Sequence, residues 1–126
     1  MKESIPMPTE AELEILRVLW RRGQSTVRQV HEDLDGNVGY TTILKLMQIM
    51  TEKGLVVRDE RERAHIYSPS MTEDTTQSQL VGHLMNRAFD GSSSKLVMQA
   101  LSSRPSSREE LAQIRKLLES LEGGVK

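Results

Sequence analysis

The segment Gly39–Gly54, GYTTILKLMQIMTEKG, has the pattern that decides the fold of this chain. Ile43, Met47 and Met50 recur at helical spacing, which predicts one buried face. Gly54 can adopt the positive φ with which many helices end. The opposite face is polar and carries Thr41, Lys45, Gln48 and Glu52. Such groups can meet base edges and phosphates in a DNA major groove, but an ordinary solvated helix has the same pattern, so the neighbouring elements must decide.

Two helices are predicted before this segment. Thr9 and Glu12 have the spacing of a capping box, and Thr26 and Gln29 repeat it. Apolar side chains follow each cap at helical spacing: Leu13, Leu16, Leu19 and Trp20 in the first helix, then Val27, Val30 and Leu34 in the second. The second helix is expected to end before the turn at Asp35–Asn37.

A β-hairpin is predicted directly after the third helix. Its strand candidates are Leu55–Arg58 and His65–Ser68, and the residues between them are polar except for Ala64. Pro69 is expected to end the second strand. Three helices followed by a hairpin is the order of a winged helix-turn-helix, in which the third helix enters the major groove and the hairpin, or wing, approaches the flanking DNA.

The composition changes around Pro69, and this predicts a domain boundary there. Residues 1–69 are expected to form a winged-helix DNA-binding domain, and residues 70–126 a three-helix dimerisation region. The fold class is therefore mainly α with a small β-hairpin. The three later helices are predicted at Glu73–Phe89, at Lys95–Leu101 and after a third capping box, formed by Ser107 and Glu110.

The three later helices, about fifty residues, are too few to bury an independent core. Their apolar stripes predict a second surface, and a twofold homodimer is the common solution. A dimer would also suit a palindromic DNA site. The rival interpretation is that this arm folds back on the winged helix of its own chain. The residues expected at the dimer interface are Leu80, Leu84, Phe89, Leu96, Leu101, Leu111, Ile114, Leu118 and Leu121.

Net charge neither demands nor excludes a nucleic-acid partner. Residues 1–71 contain ten Lys and Arg against eleven Asp and Glu, and residues 72–126 contain seven of each. DNA binding must therefore depend on where the cations lie and not on a surplus. The balanced charge is also the best argument for the alternative function, a winged helix that binds only another protein.

Catalytic and metal sites are not predicted by any pattern in the chain. It has no cysteine, and His31, His65 and His83 lie far apart without metal-ligand spacing. No phosphate-binding glycine loop or nucleophile motif is present. An enzyme, a metal and a cofactor are therefore not expected. The N-terminal segment MKESIPMP lacks the hydrophobic core of a signal peptide, and no apolar run has membrane-spanning length, so a cytoplasmic protein without membrane insertion is expected.

Five segments, in this order and at these separations, carry a resemblance to a known family: TEAELEILRVLW, TVRQVHEDL, YTTILKLMQIMTEKGLVVR, HIYSPSMTED and HLMNRAFDGSSSKLVMQAL. They resemble the penicillinase-repressor (BlaI/MecI) family over nearly the whole chain. The resemblance implies a homodimeric repressor that binds an operator dyad in double-stranded DNA. It also implies, as in the best-known antibiotic-response systems, release through cleavage of the dimer arm triggered by a membrane-bound sensor zinc peptidase.

The resemblance also implies a set of DNA contacts. On the third helix these are Thr41 and Thr42, with Lys45 one turn later and Gln48 below it. The remaining candidates are Tyr40 before the helix, Arg28 in the second helix, and Arg61 and Arg63 in the wing. Contacts to phosphates position the protein and make its affinity salt-dependent, whereas contacts from the helix to bases select the site.

Three positions depart from the family pattern. Gln99-Ala100 stands where the best-studied repressors are cut at an Asn-Phe bond, so it is the candidate cleavage bond and differs from theirs. Ile49 replaces a cation that many relatives carry on the third helix. The cysteine-rich tail of the copper-responsive branch is missing, which excludes copper sensing by that route.

Overall fold

A computed structural model describes residues 6–34 and 38–124 and confirms the predicted fold class, helices with one small antiparallel hairpin. The turn predicted at Asp35–Asn37 and the first five residues of the N-terminal segment lie outside the described residues. The elements in chain order are α1 (Glu10–Arg22), α2 (Val27–Asp33), α3 (Tyr40–Lys53), β1 (Val56–Asp59), β2 (Ile66–Pro69), α4 (Glu73–Ala88), α5 (Ser93–Ser103) and α6 (Arg108–Gly124).

Both predicted capping boxes at the start of the chain are confirmed. The Thr9 hydroxyl accepts a hydrogen bond from the Glu12 backbone N–H at 3.2 Å, and the Glu12 carboxylate accepts one from the Thr9 N–H at 2.9 Å. Thr26 and Gln29 exchange the same pair of bonds at 3.2 and 3.0 Å. These bonds satisfy N–H groups that a helix start otherwise leaves free, which explains why α1 and α2 begin where they do.

The strands of the hairpin lie one residue later than the sequence predicts. Gly54 closes α3 in the left-handed conformation, with φ of 85°, and the Leu55 N–H donates to the Met50 carbonyl at 2.9 Å. Because this bond still belongs to the end of the helix, strand pairing begins at Val56. Pro69 was expected to stop the second strand but is its last residue, paired with Val56, since the end of a strand tolerates the missing N–H.

A third backbone segment extends the hairpin. Ser25, in the loop between α1 and α2, exchanges two hydrogen bonds with Tyr67: the Ser25 N–H donates to the Tyr67 carbonyl at 2.9 Å, and the Tyr67 N–H donates to the Ser25 carbonyl at 2.8 Å. This bridge was not predicted, because a single residue in a polar loop is too short to show the alternating pattern of a strand. It fixes the start of α2 against β2, so the hairpin is held to the helices through its backbone as well as through its core.

The chain divides into two compact units, Met1–Gly82 and His83–Lys126. The first contains the hydrophobic core, whose buried members are Ile15, Leu16, Val18, Leu19, Val27, Val30, Ile43, Met47, Met50, Leu55, Val56 and Tyr67. This unit extends past Pro69, because the Trp20 indole N–H donates to the Met71 carbonyl at 3.0 Å and Thr76 is buried. A functional boundary at Pro69 remains a prediction.

The second unit consists of the end of α4 together with α5 and α6. The predicted limits of α5, Lys95–Leu101, are too short, because the Ser92 hydroxyl accepts a hydrogen bond from the Lys95 N–H at 3.2 Å and starts the helix earlier. The capping box of Ser107 and Glu110 is confirmed at 3.0 and 3.1 Å. No side chain is buried among residues 83–123. In the described part of the chain, no helix combines the length and apolarity needed to span a membrane.

Candidate nucleic-acid interface

The polar face of α3 is open to solvent. The side chains predicted to reach bases, Thr41, Thr42, Lys45 and Gln48, are all exposed. On the opposite face Ile43, Met47 and Met50 are at most 1% exposed. The two faces therefore divide as the helical spacing predicts, and the exposed one offers two hydroxyls, a cation and an amide within two and a half turns of helix. Ile49, at the departure from the family pattern, is partly buried beside this face.

The start of α3 is also open. Its N-cap residue is Gly39, which provides no side-chain hydrogen bond to the helix. The first backbone N–H groups of α3, those of Tyr40, Thr41 and Thr42, precede the first intrahelical bond, which runs from Ile43 to the Gly39 carbonyl at 3.1 Å. The first N–H groups of a helix have no partner within the helix, and together with the positive end of the helix dipole they favour an anion at this position.

A groove beside the start of α3 brings three of the predicted site residues together. Arg28 from α2, Tyr40 from α3 and Arg63 from the wing all line it, although they are far apart in sequence. The groove has a volume of about 560 Å³. Its other lining residues are Thr26, Val27, Leu44, Ala64, His65 and Tyr67. Two guanidinium groups and a phenol on one concave surface make it suited to a phosphate backbone.

The Tyr40 ring is oriented by a neighbour from α2. The imidazole of His31 meets it edge to face, with ring centroids 5.9 Å apart and an interplanar angle of 87°. Such an arrangement restricts the ring while Tyr40 stays 45% exposed. The site also contains three residues that were not predicted to belong to it: His31, Thr26 and His65. Only their polar character next to predicted site residues could have indicated them.

Arg61, the other predicted wing contact, is already paired within the wing. Its guanidinium donates to the Asp59 carboxylate at 2.7, 3.1 and 3.2 Å, and its backbone N–H donates at 3.0 Å. The hydrogen bonds and charge of Arg61 lower the pKa of Asp59 from its usual value to about 2. Asp59 is therefore ionised at any ordinary pH. The Arg61 side chain is 88% exposed, yet it does not line the groove.

An ion pair between a buried carboxylate and a partly buried ammonium joins the start of α1 to the end of α3. Lys53, at the end of α3, donates to both carboxylate oxygens of Glu12 in α1 at 2.7 and 2.8 Å. Burial alone would raise the pKa of Glu12, but the hydrogen bonds from Lys53 and from the Thr9 backbone outweigh this and lower it. Glu12 is thus a buried anion that fixes the carboxyl end of α3 against α1, which sequence analysis recognised only as part of a cap.

The residues predicted for dimerisation are solvent-accessible in the single chain. Leu84, Leu118 and Leu121 are 46, 53 and 57% exposed, and Leu111 is 38% exposed. The remaining members of the set are only partly buried: Leu80, Phe89, Leu96, Leu101 and Ile114. Such exposure of large apolar side chains is compatible with an interface.

The candidate cleavage bond lies inside a helix. Gln99 and Ala100 belong to α5, are exposed, and line an open groove with Leu84, Phe89, Leu96 and Ser103. Peptidases bind extended backbone, so a cut at this bond would require α5 to open locally. Within residues 6–34 and 38–124, no three His, Asp or Glu side chains are grouped so that they could hold a metal ion.

Comparison with known proteins identifies the class. A family model described as Penicillinase repressor matches residues 8–120. The transcriptional regulator BlaI of Mycobacterium tuberculosis is 31% identical over 91% of this chain and 85% of its own length. The penicillinase repressor of Bacillus licheniformis is 24% identical over 93% of both chains. The solution structure of the DNA binding domain of the repressor BlaI covers 57% of this chain and 90% of that domain, with a TM-score of 0.50 and 24% identity, and it shares the fold.

The fold and the matching family define the class as winged-helix transcriptional repressors, not enzymes. The match covers nearly all of the sequence, from α1 through most of α6. This chain belongs to the penicillinase repressor family.

Proposed function

We propose that the protein is a homodimeric repressor that binds a palindromic operator in double-stranded DNA with α3 in the major groove. The exposed polar face of α3, backed by a fully buried apolar face, is the observation that carries this proposal. Thr41, Thr42, Lys45 and Gln48 would meet the base edges. A buried opposite face anchors the helix rigidly, so these side chains keep a defined position relative to the DNA.

The groove beside α3 supports backbone recognition. Arg28, Tyr40 and Arg63 line one concave surface next to the open start of α3. Phosphates of one DNA strand would then accept hydrogen bonds from charged side chains and from backbone N–H groups at the same place. The first 71 residues have no cationic surplus, so this placement supplies the electrostatic attraction that net charge does not.

Dimerisation through the second unit is part of the proposal. Two observations support it: leucines of α4 and α6 are exposed, and no side chain among residues 83–123 is buried. Two copies of this surface would bury stripes that a single chain leaves in water. A dimer would present two α3 helices to the two halves of a dyad.

Relief of repression by proteolysis of the arm also belongs to the proposal. Cutting α5, at Gln99-Ala100 or nearby, would detach α6 and remove part of the dimer interface. The exposure of both residues supports this route, and a membrane-bound sensor peptidase would be the source of the signal. Measuring the intact mass of the protein from cells exposed to a β-lactam tests it: two fragments separated within α5 are expected. An intact chain during full derepression would exclude proteolytic relief.

The central experiment is fluorescence anisotropy of the full chain with duplex DNA from upstream of its own gene. A scrambled duplex and a series of salt concentrations are measured in parallel. We expect binding to the genuine duplex at least about a hundredfold tighter than to the scrambled one, with affinity falling steeply as salt rises. Footprinting of the bound fragment should then reveal a dyad.

Two charge reversals test the surface involved. Lys45→Glu should abolish operator binding, because it places an anion on the face of α3 that meets DNA. Arg17→Glu is the matched control, since it makes the same change on the exposed side of α1 and should bind normally. If both variants lost operator binding equally, α3 would not be the DNA-binding surface. If the wild-type chain binds no DNA even at low salt, the repressor function fails and the protein-binding winged helix replaces it.

A further inference from the structure

The three arginines of the wing, defined as β1, β2 and the loop between them, differ in their partners. Arg58 forms an ion pair with Glu60 at 2.7 Å, and Arg61 forms one with Asp59 at 2.7 Å. Within the part of the chain that the structure describes, Arg63 has no acidic partner within 4.0 Å. It is also the arginine of the wing that lines the groove beside α3.

We propose that Asp59 limits the DNA affinity of the wing by holding Arg61, so that Arg63 alone provides the wing's phosphate contact. The inference rests on the proposed DNA-binding function and deepens it. It differs from the resemblance, which implies the same role for Arg61 and Arg63. Asp59 becomes an attenuating residue, a role that no sequence motif indicates.

The geometry of the Asp59–Arg61 pair carries the argument. Three guanidinium bonds and one backbone bond join residues only two positions apart. Because the link is local, little chain entropy opposes it, unlike an ordinary exposed pair of two long side chains. The pair occupies the Nε–Nη2 edge of the guanidinium, an edge with which Arg also binds phosphate in a bidentate way. Arg61 must therefore leave Asp59 before it can offer that edge to DNA, and while it is held there the pair carries no net charge to attract a phosphate.

The carboxylate has a second effect on DNA binding. The pKa of Asp59 is held at about 2, so its negative charge is present under all binding conditions. A phosphate that approached Arg61 would also be repelled by this carboxylate, so Arg61 would replace a DNA counterion less readily. Arg63 carries no such penalty, because it shares its groove with Arg28, Tyr40 and His65 and with no carboxylate.

Salt-dependent anisotropy with operator and scrambled duplexes separates the two arginines. Each phosphate contact contributes about 0.9 to the slope of log affinity against log salt, so a fourfold rise in salt changes affinity about 3.5-fold per contact. Arg63→Ala should reduce the slope by about 2 on the full operator, because the dimer loses one contact of about 0.9 in each half-site. Arg61→Ala should leave it nearly unchanged. Equal reductions in both variants would overturn the inference.

Removing the restraint should increase affinity. Asp59→Asn should raise the slope by about 2, one contact in each half of the dimer, and strengthen binding to both duplexes severalfold, since phosphate contacts carry no sequence information. Glu62→Gln is the matched control: it removes an exposed wing carboxylate that has no ion pair among the described residues. It should give a smaller gain. The double variant Asp59→Asn with Arg61→Ala should lose the gain, whereas a gain that persists there would reflect general charge and contradict the restraint.

An independent measurement needs no DNA. NMR titration of the Asp59 carboxyl in the full chain should give a pKa near 2, and Arg61→Ala should return it towards the ordinary value of 3.8. A wild-type pKa near 3.8 would overturn the restraint even if the protein binds its operator. Conversely, a low pKa in a chain that binds no DNA would mean that the proposed function had failed while the pair itself was real.

Discussion

The two compact units differ in how many of their apolar side chains are buried within the single chain. In the described part of Met1–Gly82 twelve hydrophobic side chains are buried among α1, α2, α3 and the hairpin. In the described part of His83–Lys126 none is buried, although α5 and α6 have amphipathic patterns. The first unit can therefore be stable within one chain. The second leaves its apolar stripes exposed to water, which is why we propose that a second copy of the chain covers them.

The largest expected effect of a single substitution lies in the first unit. Ile15→Ala should reduce the free energy of unfolding by roughly 2–5 kcal/mol, because Ile15 is fully buried and leaves a cavity. Urea unfolding followed by the fluorescence of Trp20, the one tryptophan of the chain, would measure it. Leu117→Ala, at a residue 58% exposed in α6, is the comparison and should change the unfolding of the first unit by about 0.5 kcal/mol or less. Similar losses in both variants would contradict the difference between the units.

A charge in the second unit should act on assembly. Leu84→Glu or Leu118→Glu should give a monomer, detected by sedimentation, whose operator affinity is about a hundredfold lower because two half-sites are no longer bound together. The Trp20 unfolding transition should persist. Gln113→Glu adds the same charge on α6 outside the leucine stripe and should remain dimeric. Dimers that survived both leucine substitutions would show that the interface lies elsewhere.

A smaller effect is expected at the ion pair between α1 and α3. Glu12→Gln should cost roughly 1–3 kcal/mol, because the partly buried Lys53 ammonium loses its charged partner. The pKa of Glu12 is lowered from 4.5 in the folded chain, so the stabilisation is complete above that value and is lost as pH falls below it. Urea unfolding across the acid range should show a larger loss in the wild-type chain than in Glu12→Gln, in which Asp59 still titrates. The same acid sensitivity in both chains would mean that another carboxylate is responsible.

Local features of the fold were predictable from the sequence. The three capping boxes, the end of α3 at Gly54 and the two faces of α3 all agree with the structure, because each depends on residues three or four positions apart. The boundaries of the strands and of α5 were less accurate. They depend on how single backbone groups, such as the Leu55 N–H, are shared between neighbouring elements.

The candidate site was predictable in its parts and not in its arrangement. Polar residues on α3 could be identified from periodicity, and Arg28, Tyr40 and Arg63 from the family resemblance. That these three line one groove, and that Arg61 does not, follows from how the wing lies against α2 and α3. The pairing of Arg61 with Asp59 was missed, because alternating charges in a polar loop permit several ion pairs that sequence cannot rank.

The sequence by itself thus determined the kinds and order of the elements, the class of fold, and the helix face that stays in water. Periodicity and capping are local, and they have the same consequence in any chain. The tertiary structure alone decided which distant groups come together: Glu12 bonds to Lys53, Ser25 pairs with Tyr67, and Arg28 and Arg63 line one groove. Those pairings depend on the packing of whole elements around the core, where small differences in geometry determine which polar groups come within bonding distance.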